Sequence, residues 1–145
     1  MSANARTAGR LGVGPQAQSN MWGPREHEEM TWELCFAREW AGSVLILVTS
    51  GRIGHAAAPR LRAALTDAAR DARAVVVDLS GVDYLSGSAA AVLSGAARRN
   101  GGDGSMVVCG LRASVRIALE LAGVLDALPI AATRAESIAR FKGRE

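Results

Sequence analysis

Aromatic side chains are scarce in this sequence, since phenylalanine, tryptophan and tyrosine make up 4% of its 145 residues. A core without large rings must be built by close packing of small aliphatic side chains. Alanine, valine and leucine supply most of the 49% of residues that are hydrophobic. A chain of this length can bury one core and is short for two, so we expect one α/β domain.

Cysteine is also scarce, with two residues in the whole chain. Cys35 and Cys109 each fall at an apolar position of a predicted strand, which predicts two buried thiols of the kind found in cytosolic proteins. The sequence has no CxxC pair and no cysteine and histidine spacing typical of a metal site. It therefore predicts no metal and no cofactor.

The sequence has no large excess of charge of one sign, because its net charge is +3. The arginines are dispersed along the chain and form no basic stripe interleaved with aromatics, which argues against nucleic-acid binding. No apolar run reaches the length of a membrane span, and the N-terminus has no apolar signal-peptide region. We therefore expect a cytoplasmic protein with no direct membrane insertion.

The N-terminal segment, residues 1–29, mixes Gly, Ala, Ser, Asn, Gln and Arg with two prolines and has almost no periodic apolar residues. Such a segment cannot offset the entropy of ordering it, so a disordered tail is predicted there. Trp22 is its one large apolar side chain. The domain is expected to span residues 30–145.

The remaining sequence alternates short apolar runs with amphipathic segments, which is typical of an α/β fold. A β-hairpin is predicted first, followed by parallel βα units and a closing helix. The result is a mixed sheet of four to five strands packed by about four helices. Expected strands are Thr31–Glu39, Val44–Val48, Ala74–Leu79, Ser105–Cys109 and Leu128–Ala131, and expected helices are Ala56–Arg70, Ser86 or Ser88 to Arg99, Leu111–Ala122 and Arg134–Phe141. The segment Thr49–Gly54 is expected to be a loop.

Three blocks carry a resemblance to a known family: Leu47–Ile53, Ala58–Leu61 and Val75–Leu85. Together they resemble the STAS domain of bacterial anti-sigma factor antagonists, from about Met30 to about Phe141. The resemblance implies the STAS fold and a protein that binds an anti-sigma factor, which in this family is also a serine-protein kinase. The resemblance also allows a second function, in which the chain is the STAS subunit of a phospholipid-transport ABC complex and binds its ATPase subunit.

The turn before the third predicted helix departs from the family pattern. Where the family carries its phosphorylated serine this sequence has Gly87, and Ser86 stands where an acidic residue is usual. The resemblance therefore implies a binder that is not phosphorylated efficiently at the usual place, with Ser88 and Ser86 as the possible acceptors. Either serine is also a good N-cap for the helix, because its hydroxyl can accept a hydrogen bond from an unpaired backbone N–H.

The partner interface is expected to lie around this turn and on the first turns of the helix, from Asp83 to Leu93. Val92, Leu93 and Ala96 are expected to face the core, while the other alanines, Ala90 among them, are expected to be exposed. His55 is interpreted as a loop or cap residue. No nucleophile, base and orienting group occur together in the pattern, so no enzyme is predicted. The expected interface residues are Asp83, Tyr84, Ser86, Gly87, Ser88, Ala89, Ala90 and Leu93.

Overall fold

The structure is a computed structural model that describes residues 34–99 and 105–142. The predicted tail, residues 1–29, lies outside the described residues. The strands are β1 (Cys35–Ala41), β2 (Val44–Ile53), β3 (Ala74–Leu85), β4 (Met106–Cys109) and β5 (Ile130–Ala131). The helices are α1 (Ala58–Asp71), α2 (Gly87–Arg99), α3 (Ala113–Leu121) and α4 (Arg134–Lys142), with short 3-10 turns at His55–Ala57 and Leu125–Ala127.

The five strands form one mixed sheet in the order β1-β2-β3-β4-β5. Strands β1 and β2 form an antiparallel hairpin, and each later neighbour pairs in parallel. The hairpin turns at Gly42, whose φ of +61° lies in the left-handed region that favours glycine. The predicted sheet type and element order are confirmed.

Strands β2 and β3 are longer than the sequence predicts. The segment Thr49–Ile53 was expected to be a loop, but it continues β2 and pairs with β3 as far as Leu85. The pairing register shifts twice along this extension, which explains why its sequence lacks regular alternation. Gly81 is needed there because an added Cβ would lie 2.8 Å from Cβ of Ser50.

Both faces of the sheet are covered, because alternate strand residues point to opposite sides. The larger apolar cluster joins one face to α1, α2 and α3, through residues such as Leu61, Leu93 and Leu119. The smaller cluster joins the other face to α4, through Phe141 and Ile138. The sheet therefore holds α2 and α3 on one side and α4 on the opposite side.

An ion-paired network fastens α4 to the sheet. Arg134, the first residue of α4, donates to the carboxylate of Asp78 at 2.8 and 3.1 Å and to that of Glu39 at 2.6 Å. The N–H of Ser80 donates to the second oxygen of Asp78 at 2.9 Å. Burial would raise the pKa of Asp78, but the hydrogen bonds from Ser80 and Arg134 outweigh it and hold that pKa below its usual range.

The two cysteines differ in environment. Cys109 is buried on β4, and burial raises the pKa of its thiol. The prediction that Cys35 is buried is wrong, because β1 is an edge strand and the side chain of Cys35 is exposed. No helix within residues 34–99 and 105–142 is long and apolar enough to cross a membrane.

Candidate functional site

The end of β3 passes directly into α2 through Ser86. The N–H of Ser86 donates to the carbonyl of Ile53 at the end of β2, at 2.9 Å, which fixes the turn to the sheet. Oγ of Ser86 accepts the N–H of Ala89 at 3.2 Å. The structure thus brings Ser86 to the N-cap position of α2, one of the two places that the sequence predicts for the cap.

The next two residues, Gly87 and Ser88, form the first turn of α2. Gly87 is exposed, and a Cβ added there would have no atom within 4 Å. Ser88 is half-buried, and its Oγ lies 2.5 Å from Nδ1 of His55 in the 3-10 turn after β2. The sequence analysis missed this pair, because 33 residues separate its members and only the parallel pairing of β2 with β3 brings them together.

The expectation that alanines of α2 form the contact surface is wrong for Ala89 and Ala90. Both are 0% exposed, as is Leu93, so three of the expected interface residues belong to the core. The cause is the position of α2, which contacts α1, α3 and the 3-10 turn at His55–Ala57. A helix with neighbours on several sides needs small side chains around most of its circumference. Ala91 is exposed, as expected.

Large apolar side chains are exposed instead on β1, at Trp40, at the end of β3 and on α3. Ile117 and Leu121 are 53% and 85% exposed and lie four residues apart, on one face of α3. Oγ of Ser114, on the first turn of the same helix, donates to the carbonyl of Asp83 at 3.1 Å. We call Ile117 and Leu121 the α3 ridge, and the helix that carries them begins next to the last residues of β3. The sequence indicates their exposure by spacing. Each lies two residues after a buried residue, Val115 or Leu119, and so points away from the core.

Tyr84 is another large side chain that is exposed, at the end of β3. Its ring is 43% exposed, and the guanidinium of Arg52 lies 4.7 Å from the ring centroid, a cation–π contact that holds the ring in place. Asp83 is exposed beside it, as the sequence predicts. Arg112 donates to the carbonyl of Ser80 at 2.8 Å and so fixes the segment that leads into α3. Arg112 and Ser114 therefore tie the start of α3 to β3.

Two further features describe the chemistry of this region. Among the residues that the structure describes, no three His, Cys, Asp or Glu side chains are grouped so as to hold a metal ion. The first turn of α2 carries no acidic residue, so its positive dipole end is not neutralised by a side chain of that turn.

Comparisons with known proteins agree on one family. The STAS domain profile matches residues 37–137. The chain is 33% identical over 101 residues to BtrV of Bordetella bronchiseptica, whose name assigns it to the anti-sigma factor antagonists; the match covers 68% of this chain and 87% of BtrV.

Solved structures share the fold. An anti-sigma factor antagonist from Mycobacterium paratuberculosis has a TM-score of 0.68 at 22% identity, covering 76% of this chain and 95% of that one. The anti-sigma factor antagonist SpoIIAA, unphosphorylated, has a TM-score of 0.61 at 18% identity, covering 75% and 97%. The phosphorylated form of Bacillus SpoIIAA has a TM-score of 0.54 at 16% identity, covering 74% and 99%. With its matched sequence profile and its mixed sheet and helices, the chain belongs to the STAS domain family.

Proposed function

We propose that this chain is an anti-sigma factor antagonist, a non-enzymatic protein of the cytoplasm that binds an anti-sigma factor and so frees a sigma factor for transcription. The partner is expected to be a serine-protein kinase as well. The names of BtrV and of the structural neighbours support this role. The observation that carries it is the α3 ridge, an exposed apolar face on a helix whose first turn is hydrogen-bonded to the end of β3, just before the turn at Ser86 to Ser88.

Burial of the α3 ridge would contribute favourably to binding. Full burial of a leucine or isoleucine side chain contributes about 1.5–3 kcal/mol, and most of the Leu121 side chain is available for it. Tyr84 is already held by Arg52, so a partner would immobilise it at little further entropic cost. Gly87 leaves open space at the turn, so a partner can approach the backbone there closely.

The test is capture of the partner from native cells, with Leu121→Arg compared with wild type. Because the substitution removes apolar contact and adds a charge, we expect binding to the anti-sigma factor to weaken at least tenfold, a change of about 1.4 kcal/mol. Ala139→Arg is the matched control, since Ala139 is exposed on α4, on the opposite side of the sheet. This variant should bind like wild type.

Two results would contradict the proposal. The first is recovery of an ABC-transporter ATPase in place of an anti-sigma factor, which would favour the transport-complex function. The second is equal loss of binding by Leu121→Arg and Ala139→Arg, which would remove the α3 ridge from the interface. Thermal unfolding of each variant shows that the comparison is made between folded proteins.

A further inference from the structure

The outer edge of the sheet on the hairpin side is formed by β1, which comes first in the sheet order. Among the residues that the structure describes, β2 pairs with one side of β1 and no strand pairs with its other side. The edge is also open above and below, because α1 packs mainly on β2 and β3, and α4 packs on β3, β4 and β5. An edge strand of seven residues that is left uncovered can pair with another strand.

The hairpin determines which backbone groups of β1 point to this open edge. Ala41 and Val44 close the two-residue turn, and such a closing pair is hydrogen-bonded through its backbone. Hydrogen-bonded and non-hydrogen-bonded pairs then alternate along the two strands. The N–H and C=O groups of Phe36, Arg38 and Trp40 therefore point away from β2.

We propose that β1 pairs with β1 of a second copy of this chain, antiparallel and with a two-fold axis at Arg38. In this register Phe36 pairs with the partner's Trp40, Arg38 with the partner's Arg38, and Trp40 with the partner's Phe36. Every outward backbone group of the three residues then has a hydrogen-bonding partner. An axis at Phe36 or at Trp40 would leave outward groups at one end of β1 unpaired, so the strand itself selects the register.

The side chains are complementary in this register on both faces of the sheet. On the α1 face the ring of Trp40, which is 53% exposed, lies opposite the half-buried ring of Phe36, and the two-fold axis repeats this aromatic pair. On the α4 face, where Glu39 accepts from Arg134, the residue opposite Glu39 is the small Ala37. The pairing therefore adds aromatic contact on one face and no crowding on the other.

The charge in the middle of β1 is compatible with this pairing. A charged side chain at such a place usually protects an edge strand. Arg38, however, donates to the carboxylate of Asp71 at the end of α1, at 2.7 Å, which draws its guanidinium towards α1. At the two-fold axis each arginine therefore arrives with its own carboxylate, and the opposite charges of the two ion pairs complement each other.

The helices of the two copies leave room for the paired strands. Three strand spacings, about 14 Å, separate β2 of one copy from β2 of the other, which exceeds the 8–10 Å at which helices pack. The buried area stays below about 1,200 Å², the lower limit of most stable interfaces, so we expect a reversible dimer with a dissociation constant of about 10–100 μM.

The dimer leaves the candidate functional site accessible. The α3 ridge lies on a helix that packs on β3, two strands away from the β1 edge. The inference therefore does not rest on the proposed function, and either can fail without the other.

The experiment measures sedimentation velocity of the full-length chain over a range of concentrations. Trp40→Pro removes the aromatic ring and an outward N–H without removing a hydrogen bond to β2, so the monomer should remain folded. We expect it to weaken the dimer at least tenfold. Leu121→Arg is the control on the α3 ridge and should dimerise like wild type.

Cysteine cross-linking tests the register and does not depend on the proline variant. In a Cys35→Ser background, Arg38→Cys places two thiols opposite each other at the two-fold axis, where the Cα atoms of a hydrogen-bonded pair are about 5.5 Å apart and within reach of a disulfide. Ala37→Cys is the matched control, because its thiol points to the other face and lies diagonal to its copy. Only Arg38→Cys should give a covalent dimer on air oxidation, as seen by non-reducing electrophoresis.

Three results would overturn the inference. The first is a wild-type chain that stays monomeric at about 1 mM, well above the expected dissociation constant. The second is a folded Trp40→Pro variant, as judged by circular dichroism, that dimerises like wild type. The third is equal cross-linking of Arg38→Cys and Ala37→Cys, which would show that any dimer uses another register or another surface.

Discussion

Replacement of Asp78 by asparagine tests the network that fastens α4 to the sheet. The side chain of Asp78 is 8% exposed, while those of Arg134 and Glu39 are 36% and 54% exposed. A hydrogen bond to a charged group contributes about 1.5–3 kcal/mol, and the partial exposure of Arg134 reduces this through solvent screening. We expect Asp78→Asn to lower the free energy of unfolding by about 1.5 kcal/mol at neutral pH. Glu39→Gln, which removes an exposed partner of the same arginine, should cost about 0–1 kcal/mol.

The pH dependence of the same variant provides a sharper test. Because the folded protein holds the pKa of Asp78 below its unfolded value of 3.8, the charged carboxylate stabilises the fold above that value. This contribution is lost as the pH falls through the folded pKa. Urea unfolding followed by circular dichroism should therefore show the full difference between wild type and Asp78→Asn at neutral pH and a vanishing one in strong acid. A difference that is absent at neutral pH, or that persists unchanged in strong acid, would refute the stabilising role of the charged Asp78 carboxylate.

Two further pairs of substitutions, each a test with its control, probe the packing of the fold by thermal unfolding. Ala90→Arg should cost about 3 kcal/mol or more, because a charged side chain would enter a fully buried position, whereas Ala91→Arg on the exposed face of the same helix should unfold like wild type. A folded and stable Ala90→Arg protein would show that this face of α2 is accessible. Gly81→Ala should cost about 1–3 kcal/mol, because its Cβ would press on the backbone of β2, while Gly54→Ala, with open space around it, should be tolerated. Equal stability of the two glycine variants would contradict the close approach of β2 and β3.

The order of strands and helices was predictable from the sequence, because buried parallel strands are continuous apolar runs that are easy to identify. Val44–Leu47 and Val75–Val77 are such runs, and both lie inside the strands of the structure. The carboxyl ends of β2 and β3 were not predictable. Thr49 to Arg52 has the composition of a turn, and only its pairing with β3 makes it extended. Tertiary pairing overrides local preference at these positions.

The candidate site was predictable in part, because only some of its contacts join residues that are close in the sequence. The N-cap at Ser86 is a local feature, and local sequence predicts it. The burial of Ala90 depends on neighbours of α2 that come from distant parts of the chain, and a run of alanines is equally compatible with an exposed face and a packed one. Ile117 and Leu121 were missed because the sequence analysis gave only the bounds of their helix and did not separate its buried face from its exposed one. Residues were thus assigned correctly where the decisive contacts are local.

The extended strand ends also explain how this surface can be specific without a large loop. Ile53 and Leu85 pair at the last positions of β2 and β3, and Ser86 then bonds back to Ile53. The turn is therefore fixed by backbone hydrogen bonds up to the residue at which α2 begins. Ser114 and Arg112 tie the start of α3 to the same strand end. A partner that binds here meets a surface ordered in advance, so little of its binding energy is spent on ordering the site.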